Sequence, residues 1–207
     1  MRGLVLGLVL LLPAVGHAQA VDLRVPAPEA DALASLRLSF EGERRTGGVA
    51  LMTGGLASVV AGGVVAGFAH EDPFWLGFSI GTLGWGAVNA ALAIGLFDVG
   101  GGRRARIEDD RALRGDALRD ARDALLSEQH GAATLFAFNT GLDVFYVVAG
   151  ALLFALADLL DDPYEADVLR GYSAAQISQG GFLLVFDLVE WVAAGGRADR
   201  VRSLRRW

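Results

Sequence analysis

Three carboxylates stand inside stretches that are otherwise apolar. Asp143 lies within Gly131–Ala157, and Asp187 and Glu190 lie within Tyr172–Gly196. An ionisable side chain at membrane depth is costly to bury, so it is a functional candidate by default. At helical spacing, Asn139 and Tyr146 share the face of Asp143, at i−4 and i+3. Gln176, Gln179, Asp187 and Glu190 form a polar stripe on the following stretch. Asn89 adds an amide from a third stretch. Counted from one side at about 1.5 Å of rise per residue, Asn139 lies about 12 Å deep, Asn89 about 12–14 Å, Asp187 about 13 Å and Asp143 about 18 Å. These groups are therefore expected to converge inside a helical bundle. Glu190 sits nearer the surface, where Arg45 is expected to reach it by snorkelling. The candidate ligand or ion site is thus Asp143, Asp187, Asn139, Asn89, Gln179 and Glu190. Such a set supports two readings. One is a hydrogen-bonded lock between helices, with the amides satisfying a carboxyl. The other is a site where two carboxyls share a proton or hold a small cation.

The elements that must carry these residues are membrane spans. The 207 residues are 53% hydrophobic, and the apolar residues gather in long uncharged blocks between dense charge, as spans and loops do. Four blocks match the roughly 20 residues needed to cross a bilayer: about 47–69, 73–97, 131–157 and 172–196. In lipid such blocks must be helical, because their backbone groups have no water to bond. The expected fold is an all-α, integral membrane four-helix bundle of two hairpins in residues 46–207. An amphipathic helix over about 103–129 links the hairpins. Within it, Asp110/Arg114 and Arg119/Asp123 have the spacing of i,i+4 ion pairs. Small residues recur at i,i+4 along the first block: Ala50, Gly54, Ser58, Gly62 and Ala66. Such stripes let helix backbones approach closely, within the chain or in a homo-oligomer. No internal repeat is evident.

Residues 1–20 read as a signal peptide, with Arg2 ahead of the apolar run Gly3–Leu12 and Ala18-Gln19-Ala20 as the cleavage site. Residues 21–45 form a polar lead containing a short surface helix over Ala30–Glu43. Topology is contested within the sequence. Arg is concentrated at Arg44-Arg45, the linker and the C-terminal tail, which places both termini in the cytoplasm by positive-inside bias. A cleaved signal places the new N-terminus outside. An uncleaved first segment would reconcile the two as five spans; the form of the Ala-Gln-Ala site favours cleavage.

Other chemistry is excluded on simple grounds. Cysteine is absent, removing disulfides and thiolate sites. The basic residues are all Arg, and the net charge of −6 argues against a nucleic-acid partner. His17, His70 and His130 are isolated and make no metal site. Gly77-Phe78-Ser79-Ile80-Gly81 matches the nucleophile-elbow pattern, but it lies inside an apolar span rather than at a strand-to-helix turn. Gly100-Gly101-Gly102 lacks the strand, spacing and Lys of a phosphate loop. No cofactor is implied.

Asn139, Gly141-Leu142-Asp143, Tyr146 and Gly150 form one recognisable set. Gly171-Tyr172, Gln179-Gly180, Phe182-Leu183 and Phe186-Asp187 form a second. Arg45-Thr46-Gly47 and Trp85 with Asn89 join them more loosely. On these residues the chain resembles a family of small bacterial membrane proteins known only as a domain of unknown function. Where that family usually has a Trp-Asn pair, Gly86 follows Trp85 here. The resemblance implies a shared four-helix body beginning with an export signal, and it brings no assigned activity. The expected place is the bacterial inner (cytoplasmic) membrane, multi-pass. The expected role is structural or interactive, with small-ion or proton transport as the alternative and an enzymatic role least supported. The lipid bilayer is the partner implied, with a homo-oligomer through the small-residue stripe of the first block as the further candidate.

Overall fold

The computed structural model describes residues 28–69 and 71–204. The signal assigned to residues 1–20, the start of the lead, His70 and the last three residues lie outside the described residues. Five α-helices follow in order: α1 (Pro28–Ala69), α2 (Pro73–Ile94), α3 (Gly102–Asp110), α4 (Gly115–Leu156) and α5 (Pro163–Ser203), with a 3-10 turn at Ala157–Leu159. The chain is an all-α helical bundle. α1, α2, α4 and α5 are each long and apolar enough to cross a membrane. Large apolar side chains such as Phe68, Val60, Phe138 and Val192 point outward along them. Water would penalise such a surface, whereas lipid solvates it.

Both tight hairpins are built by the same device. Asp72 accepts from the backbone N–H of Phe74 (3.0 Å) and Trp75 (3.3 Å), with Pro73 next to it at the start of α2. Asp162 accepts from Tyr164 N–H at 2.8 Å, with Pro163 at the start of α5. An N-cap carboxylate satisfies the orphan donors of the first turn, and Pro costs nothing there because its missing N–H has no partner to lose.

Three expected boundaries differ. The lead is not a separate surface helix: from Pro28 it is the first half of α1, continuous with the apolar half. It is held by burial of Leu33 and Phe40 against Leu125 of α4 and Val201 of α5. The second apolar helix ends at Ile94, and residues 95–97 continue only as turns. The linker is two helices rather than one. Arg114 is extended and Gly115 takes φ 54°, a left-handed value that favours glycine. The chain breaks there, and the second half of the linker runs straight into the third apolar helix as part of α4. The break separates Asp110 from Arg114. Asp110 pairs instead with Arg37 of α1, Nε to Oδ2 at 3.1 Å, and Arg119 pairs with Asp116.

α1 packs on α2, α2 on α5 and α5 on α4, while α1 and α4 approach each other only beyond the apolar region. There the outer halves of α1 and α4, α3 and the end of α5 form a charged head. Every described Arg except Arg170 lies at this end. Glycine sets the close contacts in the apolar region. A Cβ on Gly55 would lie 2.6 Å from Ala90 N and 2.8 Å from Gly86 O. One on Gly171 would collide with the Phe74 carbonyl, and one on Gly77 with that of Val168. Close backbone approach of this kind supplies helix association where hydrophobicity does not.

Candidate functional site

The polar residues of the apolar region fall into layers along α5. Toward the end away from the head, Gln179 is the centre of an amide bridge. Asn89 Nδ2 of α2 donates to Gln179 Oε1 at 3.3 Å, and Gln179 Nε2 donates to Ser58 Oγ of α1 at 2.9 Å. Ser58 passes its own hydroxyl hydrogen to Gly54 O at 2.9 Å. Three helices are thereby joined by one side chain. Asn89 is fully buried, and its Oδ1 has no donor. On the other side of α5, Gln176 Nε2 donates to Tyr146 O of α4 at 3.2 Å. The Tyr146 ring meets Trp85 of α2 edge-on at 5.0 Å, which explains why this Trp sits mid-helix rather than at an interface.

Two turns along α5 from Gln179, Asp187 faces α4. Its carboxyl has the Asp143 carboxyl and the Asn139 amide as hydrogen-bonding neighbours. Asp143 is 3% exposed and Asp187 6%. The apolar stretches contain no Lys or Arg, so among the described residues no cation balances the pair at that depth. Asp143 Oδ2 is buried with no donor. Two facing carboxylates cannot donate to each other; a proton on either one, or a cation between them, completes the arrangement chemically.

Nearest the head, Arg197 closes the stripe. Its guanidinium reaches Gln129 Oε1 of α4 (2.9 Å), Glu190 of its own helix (3.4 Å) and Glu43 of α1 (3.5 Å). Arg200 adds bonds of 2.6 and 2.8 Å to Glu43 and lies over the Phe40 ring at 4.7 Å. Burial acts to raise the Glu43 carboxyl, but the bond to Arg200 and the fields of Arg200 and Arg197 outweigh it and hold it below its usual range. On α3, burial pushes the Asp110 carboxyl up, and Arg37 offsets this only in part.

The expected convergence is therefore divided. Asp143, Asp187 and Asn139 come together. Asn89 and Gln179 form the separate bridge to Ser58, because Gln179 stands about 12 Å along α5 from Asp187 at 1.5 Å per residue. Glu190 is held by Arg197 rather than Arg45, which is exposed. Glu190 can cross to α1 because Gly47 leaves it room: a Cβ there would lie 2.5 Å from Glu190 Oε1. Arg197, Gln129 and Glu43 escaped sequence reading, although the seven-residue step from Glu190 to Arg197 keeps both on one helical face. The serine of the Gly-Phe-Ser-Ile-Gly segment is structural. Ser79 is buried and donates to Leu76 O at 2.8 Å, while Gly77 and Gly81 make room for α5.

A family model covers residues 50–188, from the apolar half of α1 to Leu188, one residue past Asp187. The chain belongs to DUF6992, a family of unknown function. The DUF6992 segment contains the amide bridge and the carboxyl pair. Glu190, Arg197, Glu43 and the helical lead lie beyond it. No curated protein and no solved structure matches the chain.

Proposed function

We propose that this DUF6992 protein is a structural or interaction protein of the bacterial cytoplasmic membrane, a rigid four-span body that holds an Arg-rich head against one face. The observation that carries this reading is continuity. α1, α4 and α5, of 42, 42 and 41 residues, run unbroken from the bundle into the head. A helix needs only about 20 residues to cross. The amide bridge and the glycine contacts fix the bundle, and Arg197 ties its end to the head. In this reading Asp143 and Asp187 are one more helix-to-helix lock, joined through a shared proton.

A second reading, small-ion or proton transport, draws on the donorless Asp143 Oδ2. Flux through liposomes containing the purified chain separates the two. The scaffold reading expects no proton or sodium leak above empty liposomes. It also expects D143N and D187N to keep the fold, since an Asn amide still donates across the pair. A leak that wild-type protein supports and either Asn variant abolishes, with folding intact, overturns the scaffold reading in favour of transport.

A further inference from the structure

Between the two packed layers of the molecule lies a cavity of about 390 Å³. Above it, Leu33, Phe40, Leu125 and Val201 close the head. Below it, Leu51, Ala93 and Leu183 close the bundle. The cavity occupies the gap where α1 and α4 have not yet come together. Its level is set by Gly131 and Ala132, where the apolar stretch of α4 begins.

The lining has two chemistries. Leu96, Leu135 and Phe136 form an apolar wall on the bundle side. On the head side stand Arg37, Arg44, Arg103, Arg106 and Arg197, against only Glu41, Glu128 and Glu190. Three of these Arg are engaged. Arg37 pairs with Asp110 and donates to Ala121 O at 2.9 Å. Arg103 pairs with Glu41 at 3.2 Å and donates to Leu96 O at 3.2 Å. Arg197 holds Glu190 and Glu43. The other two are not engaged in this way. Among the described residues, Arg44 reaches Glu128 only at 3.9 Å, and Arg106 donates to Gly102 O of its own helix at 3.3 Å and otherwise acts on Asp98 through its field. Two guanidiniums from different helices thus face one cavity with donor capacity to spare, beside an apolar wall at the membrane boundary. A guanidinium matches phosphate oxygens with paired donors, and basic pockets between spanning helices are the recognised setting for phospholipid headgroups.

We propose that this cavity binds the phosphate headgroup of an anionic phospholipid, with Arg44 and Arg106 donating to the phosphate and Leu135 and Phe136 lying along the acyl chains. A soluble phosphate would use the same donors but has no use for the apolar wall.

The test uses the purified full chain, stripped of lipid in detergent and titrated with phosphatidylglycerol or phosphatidylcholine under native mass spectrometry. Wild-type protein is expected to retain phosphatidylglycerol preferentially. R44Q/R106Q should weaken that retention about thirtyfold, as loss of two Arg near an anionic headgroup requires. Ala132→Trp keeps every charge but fills the cavity, and should weaken it similarly. R45Q/R104Q removes two exposed Arg outside the lining and should behave as wild type. Equal binding by R44Q/R106Q or by A132W overturns the proposal, as does equal loss in R45Q/R104Q, which would mean diffuse attraction. Inorganic phosphate is the remaining arm. If it displaces phosphatidylglycerol and raises the thermal midpoint of wild-type protein as far as the lipid does, the ligand is the free anion and the lipid assignment fails. Should R44Q/R106Q not fold, A132W and the phosphate arm decide.

Discussion

Asn89 and Gln179 join α2 to α5 through an amide–amide hydrogen bond of 3.3 Å, buried between helices. Removing one partner leaves the other with no replacement, a penalty of about 1–3 kcal/mol. Q179L should therefore destabilise the bundle by that order, since it also strips Ser58 of its donor. N89L/Q179L should cost less than the sum of the single changes, by about 0.6 kcal/mol and at most about 1.7 kcal/mol, the range of such couplings in membrane proteins. Reversible unfolding in mixed micelles measures both. Strict additivity would mean that the two amides do not act together.

The parts legible in the sequence were those governed by local pattern. Four apolar blocks gave four helices, and the four-residue step from Asn139 to Asp143 correctly set both toward Asp187. What escaped was decided by contacts between distant segments. Nothing near Asp110 announces that it turns to Arg37 of α1, so the linker looked like one helix; only Gly115 hinted at the break. Arg197 looked like one more solvated Arg of a basic tail, yet it is 6% exposed. Depth counting sets Asn89 level with Asp187, yet Asn89 bonds Gln179, two turns of α5 farther from the head; counting inward from the block ends assumes that those ends lie at one height. Rise per residue fixes height along one helix and leaves the offset between neighbouring helices open.

Gly171 and Gly77 bring α2 and α5 into backbone contact, and a methyl on either strikes a carbonyl of the opposite helix. Carbonyls within a helix cannot yield without separating the pair. G171A and G77A should each cost about 1–3 kcal/mol, as overpacking does. Gly63 and Gly181 have nothing within 4 Å of an added Cβ. G63A and G181A should be neutral or slightly stabilising, because Ala is the better helix former. The same unfolding assay ranks all four; equal effects would refute the packing described.

The head collects every described Arg but Arg170, whereas the opposite turns carry Asp72, Asp161 and Asp162. Positive-inside bias predicts that the head faces the cytoplasm. A signal cleaved after Ala18-Gln19-Ala20 predicts the opposite orientation. The chain has no cysteine, so single replacements report cleanly. Asp161→Cys should react with an impermeant thiol reagent in intact spheroplasts, and Ser127→Cys only after permeabilisation. The reverse pattern would favour cleavage and an outward-facing head.

Glu43 links α1 to Arg197 and Arg200 at the end of α5. Its carboxyl titrates below the ordinary 4.5 when folded. A depressed carboxyl value means that the folded state binds protons less readily than the unfolded one, so the stabilisation is present above the unfolded value and disappears as pH falls through the folded one. Because Glu43 is partly exposed, solvent screening keeps the effect modest. E43Q should therefore lower the midpoint of thermal unfolding at neutral pH, and its deficit against wild type should stay constant on acidification until the pH drops below about 4.5, then close. R197L should cost more, about 3 kcal/mol or above, because it removes the guanidinium that both Glu190 and Gln129 contact and leaves Glu190 without its cation. If the E43Q deficit persists unchanged at acid pH, the contribution of Glu43 lies in packing and not in its charge.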